Sequence, residues 1–116
     1  ISIEALTSNS AVLTCLANDL SYEDIFSEQI RAKGKSKDLL IVFSGSGNSK
    51  NVIKAIKIAK NKKMKTFAIV GFDGGKCKKI ADNSIHVNIN DMQVAEDFQL
   101  IVSHMCMQWL SKQKIN

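Results

Sequence analysis

The fold of this chain is decided by one stretch, Leu39–Ser49, with the sequence LLIVFSGSGNS. An apolar run leads into a loop of serines and glycines, and the next residues, Lys50–Ile56, have apolar positions at helical spacing. A strand, a small-residue loop and a helix in this order are typical of a phosphate site. The loop amides and the first N–H groups of the helix converge on one point, and the helix dipole favours an anion there.

The composition of the loop narrows the kind of phosphate site. No lysine follows it in the G-K-[ST] arrangement of a P-loop ATPase, and GSGNS does not match the dinucleotide pattern G-x-G-x-x-G. Gly45 and Gly47 allow a close backbone approach and a positive φ. The alternative is an ordinary strand-to-helix turn with a serine at the helix N-cap.

The composition indicates one globular domain over residues 1–116. Hydrophobic residues make up 45% of the chain, there is no proline, and no linker or internal repeat is visible. The apolar runs are too short to span a membrane. The cysteines Cys15, Cys77 and Cys106 are odd in number and widely spaced, which favours free thiols in a reducing cytoplasm over disulfides or a C-x-x-C zinc site.

The formal net charge of +5 suits an anionic ligand. Lys50, Lys54 and Lys57 recur at helical spacing, opposite an apolar stripe that contains Val52 and Ile56. These lysines are therefore expected on the solvated face of a helix. No aromatic residues alternate with them, as base stacking would require, so we expect no nucleic-acid partner.

The pattern along the chain predicts an α/β fold with a parallel sheet, because strands alternate with helices. Strands are expected at Ile1–Leu6, Asp38–Phe43, Lys65–Val70 and Ser84–Ile89. Helices are expected from Asn9 or Ser10 to Asn18, from Ser21 to near Gly34, and over Ser49–Lys62, Lys76–Ala81 and Asp91–Lys112. The strand at 38–43 shows no polar alternation, which predicts burial on both faces.

Ligands of such sheets bind at the carboxyl ends of the strands. Three segments are expected there: Thr7–Ser10, Ser44–Ser49 and Gly71–Gly75. This position supports the phosphate interpretation of the serine loop, Ser44–Ser49.

The last predicted helix carries a second group of polar side chains. Gln93, Asp97 and His104 share one face with Glu96 beside them, which could serve acid–base chemistry or metal binding. The opposite face has an apolar stripe formed by Val94, Phe98, Ile101 and Met105. The alternative is that His104 is only a packing residue. His86, between two apolar residues of a strand, is expected to be a surface or groove residue.

Several motifs in colinear order resemble the sugar isomerase (SIS) domain, and within it the phosphoheptose isomerase group. The serine loop resembles the family's S-T-S-G-N-S, and Ala5–Thr14 resembles L-T-T-D-T-S-V-L-T. Ala17–Asp19 matches A-N-D, and Gly71–Lys76 is similar to G-K-D-G-G-K. The resemblance implies a three-layer, flavodoxin-like parallel sheet.

The resemblance implies roles for individual residues near the strand ends. Ser44, Ser46 and Ser49 match the family's phosphate-binding serines, while Gly45 replaces a threonine and keeps only its backbone amide. Asp19 matches an acidic residue near the sugar, which makes it a candidate catalytic residue. Its alternative role is a local hydrogen bond at a helix end. Two further candidate substrate contacts lie in these segments, Thr7 and Asn48.

In the last helix the resemblance is partial. His104 falls on the family's catalytic histidine, which is a zinc ligand where metal is bound. Glu96 falls on a glutamine and could be a further contact or an oxygen ligand to zinc. Asp97 and Gln99 replace a glutamate and a histidine. The resemblance therefore leaves metal dependence open, with His104 and Glu96 as the candidate zinc ligands.

The family begins with N-terminal helices, a first strand and an N-G-G-S loop, which this chain does not contain. We therefore expect a partial SIS domain. In the family strand order 2-1-3-4-5, Ile1–Leu6 would be strand two, without the neighbour that joins it to the strand at 38–43. Unpaired backbone groups and apolar edges would follow, so the 116 residues are not expected to fold autonomously.

By resemblance, the function is aldose–ketose isomerisation of sedoheptulose 7-phosphate or a related sugar phosphate. The base would be a glutamate outside this chain, with His104 as acid or proton shuttle. The alternative is a non-catalytic SIS module that binds a phosphosugar or a protein, as the branch that binds the bacterial replication initiator does. The family also implies a homotetramer with active sites between subunits. The apolar residues on several sides of the last helix agree with this, although packing within one subunit would also explain them.

Overall fold

The computed structural model describes residues 2–113, which form an α/β fold with a three-stranded parallel sheet. Its elements in chain order are α1 (Ser10–Asp19), a 3-10 helix (Tyr22–Asp24), α2 (Ser27–Lys33), β1 (Leu39–Ser44), α3 (Lys50–Asn61), β2 (Lys65–Val70), α4 (Gly75–Ile80), β3 (Asn83–His86) and α5 (Met92–Ser111). No helix within residues 2–113 has the length and apolar character needed to cross a membrane.

The strands lie in the order β1-β2-β3, with α3 and α4 as the crossovers. The register places Ser44 opposite Val70, and Val70 opposite His86. All three strands therefore end at the same level, and the segments that follow them meet at one edge of the sheet. The third strand is shorter than predicted, and the chain leaves it after His86.

Helices cover the sheet on two faces. Val42 of β1 packs with Ile56 of α3, whereas Ile41 lies beside Trp109 of α5. Because successive strand residues point to opposite faces, α3 and α5 lie on opposite sides of the sheet. The main buried cluster of the α3 side consists of Val42, Ile56, Ala68, Val70 and Cys77. Each large apolar side chain buried there contributes roughly 1.5–3 kcal/mol.

Helix α3 has the predicted orientation. Ile56 and Ala59 are fully buried, while the lysines face solvent or pair with the preceding segment. Lys50 lies 2.9 Å from the carboxylate of Glu23, and Lys54 pairs with Asp24. The Lys54 hydrogen bond holds the pKa of Asp24 below its ordinary value. Acidic neighbours thus partly neutralise the lysine face.

The strand predicted at Ile1–Leu6 is wrong for residues 2–6, which lie outside the sheet, while Ile1 lies outside the described residues. Instead, the Leu6 carbonyl accepts a hydrogen bond of 3.0 Å from Gln29 of α2. A strand needs a neighbour for its backbone groups. Within residues 2–113, β1 pairs only with β2, so no strand lies at its other edge.

The helix predicted from Ser21 to near Gly34 is divided into the 3-10 helix and α2. The Ser21 hydroxyl donates to the Asp24 carboxylate at 2.6 Å, and the Ser27 hydroxyl donates to the Asp24 carbonyl at 3.2 Å. Such local side-chain bonds compete with a continuous helix. The predicted end is confirmed, because Gly34 is the C-cap of α2.

The predicted burial of β1 on both faces is also wrong within the described residues. Leu39, Ile41 and Phe43 are 58%, 49% and 47% exposed. The stripe predicted on the last helix is likewise not packed within this part of the chain, since Phe98, Ile101 and Met105 are exposed. The reason is the placement of α5, which contacts β2 and leaves the outer face of β1 open.

A polar network connects α3, β2 and the end of α4. The carboxylate of Asp82 accepts hydrogen bonds of 2.9 Å from Lys60, from the Thr66 amide and from the Thr66 hydroxyl. The Lys60 bond, followed by the Thr66 bonds, lowers the pKa of Asp82 from 3.8 to about 2. Thr66 is fully buried, so this carboxylate satisfies donors that water cannot reach.

We expect Asp82→Asn to remove part of the acid sensitivity of the fold. Because the folded-state pKa of Asp82 lies below the unfolded value, its stabilisation is fully present above pH 4 and is lost as pH falls toward 2. The variant should therefore be less stable than the wild type at pH 6, with a smaller difference at pH 2.5. Urea unfolding at both pH values measures this. Asp97→Asn, at an exposed position of α5, is the control, and an equal loss at both pH values would contradict the prediction.

Candidate functional site

Three segments meet where the strands end. They are the serine loop after β1, the segment Gly71–Gly74 after β2 and the segment Val87–Asn90 after β3. The Gly71 amide donates to the Gly45 carbonyl at 2.8 Å, which joins the first two. A Cβ on Gly71 would lie 2.9 Å from that carbonyl oxygen, so this close approach requires glycine.

The serine loop makes a tight turn after β1. Gly47 has φ +68°, and a Cβ there would lie 2.1 Å from the carbonyl oxygen of Gly74. The Ser46 hydroxyl accepts a hydrogen bond of 3.2 Å from the Asn48 amide, and the buried Ser44 hydroxyl lies 3.4 Å from that of Ser49. Hydroxyls and amides thus converge at the start of α3.

Ser49 is the N-cap of α3, and its carbonyl accepts the first helical hydrogen bond, from Ile53 at 3.0 Å. Within residues 2–113 its hydroxyl does not cap the helix. The Val52 amide instead donates to the side chain of Asn51 at 2.9 Å. For the other first-turn amides of α3, the helix dipole favours a negatively charged acceptor.

Helix α4 donates two hydrogen bonds to the serine loop. The Gly47 carbonyl accepts a hydrogen bond of 2.8 Å from the Cys77 amide, and the Asn48 side chain accepts one of 3.1 Å from the Lys76 amide. Burial raises the pKa of the Cys77 thiol, which therefore stays protonated in the core. Hydrogen bonds from α4 thus hold the loop conformation.

A cleft of about 390 Å³ opens between these segments. It is lined by Ser46, Asn48, Phe72, Asp73, Asn88 and Asn90. Of these, Ser46 and Asn48 were predicted site residues. The other four were not named as site residues, although Phe72 and Asp73 lie in the segment Gly71–Gly75 that was expected at the strand ends. Asn88 was expected inside the last strand, which ends at His86 instead.

The predicted residues near α1 lie apart from the lining of this cleft. Thr7 is exposed in the turn before α1. Asp19, at the end of α1, accepts hydrogen bonds of 3.0 Å from Asn18 and 3.4 Å from Cys15. The bond to Asp19 raises the pKa of the Cys15 thiol. In the described chain Asp19 thus has the local partners of the alternative interpretation, and a sugar contact stays a prediction.

The predicted residues of α5 are exposed and extend away from the serine loop. The α5 N-terminus is close to it, since a Cβ on Gly45 would lie 2.4 Å from the Met92 sulfur. At 1.5 Å per residue, the Cα of His104 lies about 18 Å further along the axis, and those of Glu96 and His104 are about 12 Å apart. The structure does not bring His104 and Glu96 together with the cleft.

The candidate zinc ligands Glu96 and His104 do not form a zinc site within residues 2–113. In this part of the chain no three His, Cys, Asp or Glu side chains gather around one point. Zinc requires several ligands at about 2.0–2.3 Å. The separation of Glu96 and His104 therefore does not fit a metal held by this part of the chain.

Comparison with known proteins identifies the family of this chain. Residues 1–71 match the SIS domain family, and the chain belongs to this family. The chain is 39% identical over 105 residues to the phosphoheptose isomerase of Helicobacter pylori strain P12, covering 90% of this chain and 55% of that protein. It is 41% identical over 101 residues to a probable phosphoheptose isomerase of Thermoplasma acidophilum, covering 87% and 56%.

Solved structures show the same fold. A phosphoheptose isomerase from Francisella tularensis superposes with a TM-score of 0.90 at 26% identity, over 94% of this chain and 61% of that one. One from Neisseria gonorrhoeae gives a TM-score of 0.82 at 36% identity, over 89% and 59%. The predicted resemblance to SIS domains is confirmed. The chain spans about 55% of the length of these curated relatives.

Proposed function

We propose that this chain carries the phosphate-binding part of a sugar-phosphate isomerase that interconverts sedoheptulose 7-phosphate, or a related ketose phosphate, with the aldose. The observation that carries this proposal is the cleft at the carboxyl ends of the strands, with Ser46 and Asn48 on its wall at the start of α3. The names of the relatives supply the substrate class.

In this proposal the serine loop anchors the phosphate and leaves the carbon chain to extend along the cleft. Ser44, Ser46 and Ser49 would donate hydroxyl hydrogen bonds, and the amides at the start of α3 would add backbone donors. The phosphate lies far from the reacting carbons, so its binding energy orients the carbonyl end of the sugar. Asp73, Asn88 and Asn90 offer hydrogen-bonding groups to the sugar hydroxyls.

The chemical step moves a proton between two adjacent carbons through an enediol. It requires a base for the carbon-bound proton and an acid for the carbonyl oxygen. We propose His104 as the acid or proton shuttle, with the base supplied by residues outside this chain. The long separation of His104 from the serine loop supports a site completed by a second subunit.

Incubation of the full-length protein with sedoheptulose 7-phosphate tests the activity. The aldose product, followed by chromatography or NMR, should appear with saturable kinetics. Binding without turnover would instead favour the alternative, a non-catalytic SIS module. That alternative is supported by the exposed position of His104 and Glu96 away from the cleft.

We further propose that the protein is a homo-oligomer. The family resemblance implies that this oligomer is a tetramer. An apolar groove of about 410 Å³ lies between β1 and α5, lined by Ile41, Met105, Cys106, Trp109 and Leu110. Met105 and Trp109 are 63% and 62% exposed. Large exposed apolar surfaces of this kind mark protein interfaces.

We also propose a cytoplasmic location for the protein. The three free thiols support it, because a reducing compartment keeps cysteines unpaired.

Residues 1–116 expressed alone are expected not to form a stable monomer. The open face of β1 and the apolar side of α5 should drive association or aggregation. Light scattering after gel filtration, together with thermal melting, measures this. Met105→Lys with Trp109→Lys should reduce association, whereas Lys57→Glu, on the exposed face of α3, should not. A soluble wild-type monomer that melts cooperatively would contradict the prediction.

A further inference from the structure

The backbone of Phe72 has an unusual conformation for an aromatic residue. Its φ is +47°, in the left-handed region that bulky side chains rarely adopt. Phe72 lies between β2 and α4 and lines the cleft with Asp73. Such a conformation persists only where neighbouring groups hold it, and it is often found at functional sites.

Two hydrogen bonds hold this residue from both sides. Its amide donates to the Ile89 carbonyl at 3.0 Å, and its carbonyl lies 2.8 Å from Nε2 of His86. The other ring nitrogen of His86, Nδ1, lies 2.9 Å from Nζ of Lys78. A carbonyl only accepts and a lysine ammonium only donates, so the partners assign the proton to Nε2 and the acceptor role to Nδ1.

His86 therefore connects three elements at the cleft. It is the last residue of β3, it receives a hydrogen bond from α4, and it donates to the segment after β2. That segment also supports the serine loop, since Gly74 lies against Gly47. A shift of the Phe72 carbonyl would move the wall that faces Ser46 and Asn48.

We propose that His86 is a positioning residue of the cleft. Its Nε2–H holds the Phe72 carbonyl and so fixes the Phe72–Asp73 wall at the distance that the bound sugar phosphate requires. His86 does not touch the ligand in this role. The proposal rests on the proposed function for the identity of the ligand, but not for the local structure.

Two substitutions separate hydrogen bonding from packing. His86→Leu keeps similar bulk without a donor, whereas His86→Gln places an amide N–H near the position of Nε2–H. In the full-length protein we expect His86→Leu to raise KM for sedoheptulose 7-phosphate about tenfold, the effect of one hydrogen bond. The kcat should stay within about twofold because the reacting carbons are remote. His86→Gln should restore most of the affinity.

Amide hydrogen exchange gives a readout that needs no ligand. The amides of Phe72 and Gly74, which donate to Ile89 and Gly71, should lose protection in His86→Leu and keep it in His86→Gln. Unchanged protection in both variants would overturn the proposal. So would an equal loss of affinity in both, since packing alone would then explain the effect. Absence of turnover and binding in the wild type would count against the proposed function, and exchange would still decide the role of His86.

Discussion

Replacing Ser46 and Ser49 together with alanine is expected to lower the affinity for sedoheptulose 7-phosphate by roughly 10²–10⁴-fold. Each hydroxyl would lose a hydrogen bond to a charged phosphate oxygen, which costs roughly 1.5–3 kcal/mol. The fold should persist, because Ser49 does not cap α3 through its side chain and both residues lie outside the buried clusters. Isothermal titration calorimetry of the full-length protein measures the affinity.

The matched control removes two exposed hydroxyls away from the cleft. Ser36 precedes β1 at the opposite edge of the sheet, and Ser111 ends α5. Ser36→Ala with Ser111→Ala should leave the affinity unchanged. Retention of wild-type affinity by the folded Ser46/Ser49 variant would refute the assignment of the phosphate site to the serine loop.

Replacing His104 with glutamine is expected to lower turnover by roughly 10²–10⁴-fold, the range of general acid catalysis. Glutamine preserves bulk and one N–H donor but cannot deliver a proton to the carbonyl oxygen. The affinity for the substrate should change little, because the phosphate is held by the serine loop. Initial rates and calorimetry on the same preparation separate these effects.

Gln108→Ala is a suitable control for the His104 variant, since Gln108 is exposed one turn further along α5. It should leave turnover unchanged. Should His104→Gln keep its turnover but melt at a lower temperature, His104 would be a packing residue.

Mixing the two inactive proteins examines where His104 acts. If sites form between subunits, a hybrid oligomer can combine the intact serine loop of one subunit with His104 of another. Refolding the Ser46/Ser49 and His104 variants together should then restore part of the activity. A mixture as inactive as its components would place both groups in sites built from one chain.

Local pattern predicted most elements because their signals lie within a few neighbouring residues. Helix α3 has an apolar stripe at helical spacing, and Asn9 and Asp91 cap α1 and α5 through their side chains, with hydrogen bonds to Val12 and Val94. The strand Lys65–Val70 is confirmed at both ends. The division of the helix after Ser21 was missed, because local hydroxyl bonds outweighed helix propensity there.

The site was predicted in part. Ser46 and Asn48 stand in a continuous loop whose composition indicates anion binding, and both line the cleft. Asp73, Asn88 and Asn90 reach the same cleft from other segments. The sequence had placed the segment of Asp73 at this end of the sheet. It did not show that β3 ends at His86, which is what brings Asn88 and Asn90 to the cleft.

By itself, the sequence determined the alternation of strands and helices, the serine loop and the family resemblance, since each depends on residues close together in the chain or on motif order. The tertiary structure alone decided which faces are covered. An apolar strand such as β1 has the same composition whether one face or two are packed, so the open side of Ile41 and Phe43 was not visible in its residues. The tertiary structure also decided that His86 holds Phe72. The hydrogen bond between the His86 ring and the Phe72 carbonyl joins two segments that meet only because β3 lies beside β2.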